Sequence, residues 1–499
     1  MSSSRDTDTL AAIDLGSNSF HMIVGRLENG QLQVIDRLRE PVRLASGLTD
    51  RHRLQPQATQ RALSCLERFG QRIKELPSEN IRAVGTNTLR RIHPDDGFLE
   101  QAQTALGHGI EVISGIEEAR LVYLGVAHSL PHPGGRRLVV DIGGGSTELI
   151  IGEEFQPVQL ESLYMGCVGM SQRFFADGSI EKSAMKNAIL AARLELQPCK
   201  RVFQTTGWSM ATGSSGTIRT VRDVVLEMGW SDNGITAESL KKLRSALVEA
   251  GSAEALTYAS ISDDRRPVFA GGVAVLSAVF HALKIDRMLC SSGALREGLL
   301  YDLLGRMQQH DIRESTVQSL TRRYHVDLDQ AARVEQTAMA LLDQAAPQWQ
   351  LRLSEARQWL HWAAQVHEIG LVIAHNQYHK HGAYLIEHSD LPGFSMRDQR
   401  LLSILVRCHR RKFRNLLIEE LPESLRAKAI HLCLLMRLAV LFNRSRSSGS
   451  MPELHLSVSD DLLSLKLDRE WLDEHPLTQA DLKLEKKHLK GSGIKLEFQ

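Results

Sequence analysis

The stretch Val139-Val140-Asp141-Ile142-Gly143-Gly144-Gly145-Ser146-Thr147-Glu148 has a partial echo 127 residues earlier, in Ala12-Ile13-Asp14-Leu15-Gly16-Ser17-Asn18-Ser19-Phe20. Each copy is an apolar strand ending in Asp, then glycine and hydroxyl residues, then a second apolar strand. Glycine lets a backbone turn tightly and bring its N–H groups close to a phosphate. Ser17, Asn18, Ser19, Ser146 and Thr147 add side-chain donors, and an Asp at a strand end is a hard oxygen ligand suited to Mg²⁺. One such loop is often only a hairpin turn. Two matched copies, one per domain, suit a clamp on a phosphoanhydride and its metal. The Walker pattern is absent, so this is not a P-loop protein.

Outward from these loops, the periodicity places both copies in α/β layers. Strand-like runs at 10–13, 21–24, 32–36, 81–84, 112–114, 138–142 and 148–151 alternate with helical spacing at 56–75, 95–106 and 117–128. The mixture continues to about residue 300, with long helices expected at 183–203, 237–250 and 272–283. A Pro/Gly segment at 131–137 marks a boundary. The chain is then almost all helical to 445, a polar stretch at 444–452 follows, and β-like runs at 454–458, 462–467 and 494–498 close it. The expected domains are 1–134, 135–304, 305–445 and 446–499, an α/β fold followed by an all-α domain and a small α+β domain.

Composition narrows the class. The 499 residues carry 60 Lys plus Arg against 59 Asp plus Glu, a net charge of +1, with 42% hydrophobic and 24% charged residues. That is ordinary globular usage and excludes a basic nucleic-acid arm as the organising feature, so no nucleic-acid partner is expected. It leaves room for an anionic ligand served by local clusters. Six scattered cysteines with no CxxC pair suit reduced thiols. With no apolar leader at the N-terminus and no run of 18 apolar residues, the expectation is a cytoplasmic protein, with membrane contact at most peripheral at the inner face.

Two further glycine segments, 211–217 and 291–298, are expected as walls of the same cleft. They supply Gly213, Ser214 and Ser215 as phosphate donors beside Gly16, Gly143, Gly144 and Gly145. The paired loops resemble the sugar kinase, heat-shock protein and actin superfamily, whose two ribonuclease-H-like (actin-like ATPase) domains each begin in this way. More closely, DLGSNSFHM (14–22), VGTNTLR (84–90), ISGIEEARL (113–121), VVDIGGGSTELIIGE (139–153), MGCV (165–168), GSSGTI (213–218) and GALREG (293–298) resemble the exopolyphosphatase and guanosine pentaphosphate phosphohydrolase family. The likeness runs in order through 9–300 and continues more loosely beyond.

Removal of a terminal phosphate needs an in-line water, a group to deprotonate it and cations on the phosphates. The carboxylates on offer are Asp14, Glu117, Glu118, Asp141 and Glu148. The resemblance implies Glu118 as catalytic base; Glu117 reads equally as a first-turn acid favoured by the helix dipole. Asp14, Asp141 and Glu148 are the expected metal ligands, with Asp141 and Glu148 also positioning water. Arg90 is the expected substrate cation, because guanidinium binds phosphate bidentately and keeps its charge. Arg296 reads as either a cleft cation or a helix-end ion pair. The resemblance further implies Mg²⁺, K⁺ as activator and a homodimer.

Thirteen of the 20 histidines lie after residue 300. In HD-type phosphohydrolases a His-Asp doublet builds a metal site; here the doublet is His367-Glu368. The resemblance implies a degenerate HD-like domain that serves as a scaffold, with a second metal centre or a regulatory nucleotide site as the alternatives. Arg410, Arg411 and Lys412 lie in the densest basic run. It is either a solvated face or a track for a linear polyanion.

The expectation placed first is processive hydrolysis of inorganic polyphosphate from its end, releasing orthophosphate. Guanosine pentaphosphate hydrolysis to the tetraphosphate, a step of the stringent response, is the near alternative. A kinase-type phosphotransferase using ATP is the remote one.

Overall fold

The computed structural model describes residues 9–28, 31–130, 134–307, 311–446, 452–459 and 461–499. The expected boundaries at 131–137 and 444–452 lie partly outside them. The chain divides into two compact units, Met1–Asp311 and Ile312–Gln499.

The first unit contains two sheets. Strands β1 (Thr9–Leu15), β2 (Phe20–Glu28), β3 (Gln31–Glu40), β4 (Ile81–Gly85) and β5 (Ile110–Val112) form the first, in the order β3-β2-β1-β4-β5. Strands β6 (Arg137–Ile142), β7 (Thr147–Glu153), β8 (Gln156–Leu163), β9 (Met210–Gly213), β10 (Ile235–Thr236) and β11 (Arg287–Cys290) form the second, in the order β10-β11-β9-β6-β7-β8. From β8 to β11 the second sheet repeats the order of the first. In each, an antiparallel meander of three strands is extended by parallel strands reached through helices. This is the doubled ribonuclease-H-like arrangement expected from the sequence. Both loops of interest join the first two strands of their sheet. β1 and β6 are buried along nearly their whole length because strands flank them on both sides.

Helix Gly115–Ser129 crosses helix Leu295–Met307 at close range. A Cβ on Gly125 would lie 2.1 Å from the Ala294 carbonyl oxygen, so only glycine permits this crossing. The second helix lays Leu295, Leu299, Leu300 and Leu303 in one core with Leu10, Ala12, Ile23 and Val84 of the first sheet. Beneath it runs a buried ion network. Arg120 holds Glu117 through two bonds of 2.7 and 2.8 Å and also reaches Asp302, which Arg82 and Arg306 approach as well.

Helix Arg266–Leu283 is long and apolar enough, by length and composition alone, to cross a membrane. It is mostly buried in the second sheet's core. All six cysteines are free.

The second unit is helical from Ile312–Arg323 to Glu423–Phe442. It ends in a three-stranded sheet of β12 (His455–Val458), β13 (Leu462–Lys466) and β14 (Lys495–Phe498). Leu456, Val458, Leu463, Leu465 and Leu496 of this sheet share one core with Trp359, Leu360 and Leu435 of the helices. The described residues from 452 onward thus add a layer to the helical core.

Candidate active site

A cleft of about 320 Å³ opens in the first unit, lined by both glycine loops. In each loop the carbonyls are tied off by other backbone N–H groups. Ser17 and Asn18 carbonyls accept from Ala45 and Arg43 at 2.9 and 2.7 Å; Gly143 and Gly144 carbonyls accept from Cys167 and Val168, both at 2.9 Å. The MGCV segment therefore braces the second loop from behind. The loops also face one another: a Cβ on Gly144 would fall 2.9 Å from the Ser17 Cβ. Any side chain there would push the two walls apart.

Of the expected phosphate donors, Gly16, Ser17, Asn18, Ser19, Gly143, Gly144, Ser146 and Ser215 line the cleft. Gly145, Gly213 and Ser214 do not appear in that lining. Gly145 abuts the Asn87 side chain, Gly213 packs on Ile218 and Ser214 donates to the Gly293 carbonyl at 2.9 Å. Those three support the wall from behind. Gly216 and Thr217, which open helix Gly216–Glu227 with Ser215 as its cap, take part instead.

The adjacent glutamates separate cleanly. Helix Gly115–Ser129 starts at Ser114, whose hydroxyl accepts from the Glu117 N–H at 3.1 Å. Successive helical residues point about 100° apart. Glu117 consequently enters the buried ion network, while Glu118 faces the cleft. Glu118 Oε2 lies 3.1 Å from Arg90 Nη1, which also donates to the Ile113 carbonyl at 2.8 Å. Burial pushes the Glu118 carboxyl up to about 7; Arg90 pulls it down, and Asp14 and Asp141 push it further up. Arg90 is thus the partner of Glu118 and is not part of the cleft lining.

Asp14 and Asp141 both line the cleft. Asp141 is pushed up to about 6 by burial and by Asp14, against the Ser214 hydroxyl and the charges of Arg219 and Arg296. Asp14 Oδ1 is buried without a hydrogen-bond donor, and its Oδ2 lies 3.4 Å from His21 Nδ1. Glu148 sits outside the lining, 1% exposed, opposite Asp141 on β7, and accepts from the Ser162 hydroxyl at 2.9 Å. Burial and the charges of Glu118 and Asp141 raise it well above the ordinary carboxylate range. Among the described residues no three acidic, His or Cys side chains already form a metal cage. Mg²⁺ commonly binds through one or two carboxylates and its substrate's phosphates. The orphaned oxygen of Asp14, with Asp141 in the same cleft, fits that mode.

Four arginines escaped sequence reasoning. Arg37 and Arg39 reach the cleft from alternate positions of β3, Arg219 from the first turn after the GSSG loop, and Arg265 from just before helix Arg266–Leu283. Arg37 pairs with Glu297 at 3.2 Å and Arg39 with Asp264 at 2.7 Å. Arg219 and Arg265 make no ion pair with a described residue, and both are pulled down by burial. Arg296 also lines the cleft while pairing with Glu297 at 3.1 Å, so both of its readings hold. The available signals were the period-two spacing of Arg37 and Arg39 and the place of Arg219 three residues after a Gly-rich turn.

Arg410, Arg411 and Lys412 belong to the second unit. There Arg410 lies over the Tyr378 ring at 4.6 Å, and Arg411 and Lys412 are exposed.

Comparison with known proteins gives the family. Residues 23–307 match the family described as Ppx/GppA phosphatase family, and residues 312–486 match Ppx/GppA phosphatase, domain III. A guanosine-5'-triphosphate,3'-diphosphate pyrophosphatase of Vibrio cholerae is 40% identical over 97% of both chains; one of Aeromonas hydrophila is 39% identical over 95% of both. Among solved structures, an exopolyphosphatase from Cytophaga hutchinsonii is 23% identical. It covers 59% of this chain and 97% of its own, with a TM-score of 0.55, a likeness of fold. An Aquifex aeolicus PPX-GPPA enzyme is 27% identical over 58% of this chain and 98% of its own, with a TM-score of 0.50. Paired glycine loops, an arginine-walled cleft and a family match across both units place the chain among hydrolases of phosphoanhydrides: it belongs to the Ppx/GppA phosphatase family.

Proposed function

We propose that the protein hydrolyses the terminal phosphoanhydride of guanosine pentaphosphate, releasing orthophosphate and guanosine tetraphosphate. The chemistry rests on one observation: Glu118 is a buried carboxyl facing a cleft walled by two phosphate-type loops and five arginines. The choice of substrate rests on the relatives, which carry the name guanosine-5'-triphosphate,3'-diphosphate pyrophosphatase over nearly their whole length. They favour the nucleotide over polyphosphate, which the sequence reading placed first.

The two loops hold the phosphate chain through their N–H and hydroxyl groups, and Arg219, Arg265 and Arg296 neutralise it. A water in line with the terminal phosphorus gives its proton to Glu118 as its oxygen attacks. The bond from that phosphorus to the bridging oxygen breaks, and the bridging oxygen leaves on the tetraphosphate. A carboxyl titrating near 7 is partly ionised at neutral pH yet basic enough to take the proton. Arg90 keeps Glu118 aimed and partly ionised. Asp14 and Asp141 would hold Mg²⁺, which would neutralise charge on the phosphates when bound. Glu148 acts as a positioning residue behind Asp141.

The test is phosphate release from guanosine pentaphosphate and from long-chain polyphosphate, offered separately, with Glu118→Ala as control. Faster release from the nucleotide is expected, and its loss in the variant. Release from polyphosphate alone would overturn the substrate assignment, and a fully active variant would overturn the mechanism.

A further inference from the structure

Arg219, Arg265 and Arg296 serve the phosphate chain, and two further cleft cations, Arg37 and Arg39, have no part in it. Both lie on β3, the edge strand of the first sheet, where alternate side chains share a face. The strand register places them. Asp14 on β1 pairs with His21 on β2, and His21 pairs in turn with Arg39; Ala12, Ile23 and Arg37 form the next row of that face. At a strand spacing of about 4.8 Å, Arg39 starts two strands, about 10 Å, from the aspartate of the first glycine loop. Arg37 starts one pleat repeat beyond.

Each guanidinium is steadied by a carboxylate from outside the sheet. Arg37 Nη1 donates to Glu297 Oε1 at 3.2 Å, and Arg39 Nη2 donates to Asp264 Oδ2 at 2.7 Å. These carboxylates are themselves anchored. Glu297 Oε2 accepts from the Ala294 N–H at 2.9 Å, and its Oε1 also accepts from Arg296 Nε at 3.1 Å; Asp264 Oδ1 accepts from the Ser262 hydroxyl at 2.5 Å. A long side chain held in this way loses less freedom on binding, and a guanidinium with five donors keeps several for a ligand. The Arg37 and Arg39 side chains are 52 and 43% exposed, so an anion in the cleft can reach both. Five guanidiniums against these two carboxylates leave the wall positive.

We propose that Arg37 and Arg39 bind the diphosphate on the 3′ oxygen of the nucleotide, and so select guanosine pentaphosphate over plain nucleoside triphosphates and over polyphosphate. This rests on the hydrolysis proposed above. A substrate that carries phosphates on two oxygens of one ribose needs two groups of cations, set apart by the sugar. The glycine loops with Arg219 and Arg296 form the first group, at the reacting end. Arg37 and Arg39 form the second, displaced along the same face of the sheet. Arg265, whose charge Arg39 opposes, links the two groups. Guanidinium suits the task because it grips phosphate oxygens in pairs and keeps its charge. GTP lacks the 3′ group and leaves both arginines with their carboxylates alone.

The experiment measures phosphate release from guanosine pentaphosphate, GTP and long-chain polyphosphate by the full chain, by Arg37→Met, by Arg39→Met and by the double variant. In each single variant KM for the pentaphosphate is expected to rise about tenfold or more with kcat kept, while KM for GTP moves by less than about threefold. Inhibition gives a readout independent of turnover. Guanosine tetraphosphate should inhibit the parent more strongly than GDP does, and the double variant should be inhibited by the two alike. Arg72→Met, exposed and outside the cleft lining, controls for loss of surface charge, and Tm confirms that each variant folds. Equal losses toward GTP and the pentaphosphate would overturn the inference in favour of a general phosphate field. A larger loss toward polyphosphate would overturn it in favour of a track for a linear chain. A parent that prefers the pentaphosphate, with variants that keep the preference, also overturns it and leaves the hydrolysis standing. A parent that releases nothing from the pentaphosphate overturns the hydrolysis instead, and the comparison of tetraphosphate with GDP then decides for or against the two arginines.

Discussion

The two strand–loop–strand copies share a backbone plan and place different residues opposite the strand-terminal aspartate. On β1 and β2, Asp14 faces His21; on β6 and β7, Asp141 faces Glu148. The first aspartate therefore has a base 3.4 Å away and a bare oxygen directed elsewhere. The second sits opposite another buried carboxyl, and both carboxyls are pushed up by burial and by neighbouring negative charge. The same loop thus serves two tasks. The first copy offers a carboxyl oxygen without a donor, and the second builds a crowded acidic wall beside Glu118, raising the affinity of that corner for protons and cations.

The largest break in this picture is expected from Glu118→Gln. Phosphate release should fall by about 10²–10⁴-fold, the usual worth of a general base, with substrate binding retained. Glu117→Gln, one position away, should keep kcat and lower stability by less than the roughly 3–5 kcal/mol of an uncompensated buried charge, because Arg120 would lose one of its two buried carboxylate partners and keep Asp302; denaturant unfolding measures it. Next come the two aspartates. Asp14→Asn and Asp141→Asn should each cost about 10²-fold at fixed Mg²⁺, with the Mg²⁺ requirement raised more by Asp14→Asn. An equal rise for both would erase the asymmetry between the copies.

The pH profile comes third. Glu118 works ionised and its carboxyl stands near 7, so kcat/KM should rise through about pH 7 and level off above it. Arg90 lowers that value, so Arg90→Met should move the limb to higher pH; a shift to lower pH would refute the pairing. The stability sign is opposite. Carboxyls raised by burial favour folding when protonated, a contribution lost as pH rises through about 6 to 7. Chelation of divalent cations should therefore lower Tm more at pH 8 than at pH 5.5. The smallest effect is expected from Gly144→Ala, a rise in KM of a few-fold as Ser17 is displaced, with kcat nearly kept.

The repeated loops were legible because each combines an uninterrupted apolar strand with a strand-terminal Asp, a local pattern that survives folding. Glu118 came from the family motif, and the helix phase explains why it and not Glu117 reaches the cleft. The arginine wall was hidden: Arg39, Arg219 and Arg265 come from a strand, a helix start and a loop that only the tertiary fold brings together. Gly145, Gly213 and Ser214 looked like their neighbours in sequence but pack away from the cleft, since a loop has two faces and composition does not say which is outward. The tail at 446–499 read as a separate domain because its strands follow a polar stretch. Its apolar residues nevertheless complete the helical core.

The return of helix Leu295–Met307 onto the first sheet has a consequence for biosynthesis. Leu10 and Ala12 stay uncovered by it until a segment nearly 300 residues later arrives. A ribosome at roughly 5–20 residues per second needs on the order of 15–60 s to reach it. During that interval the N-terminal sheet lacks its cover and must be kept from aggregating. The order of translation thus ties the maturation of the first glycine loop to completion of the second half.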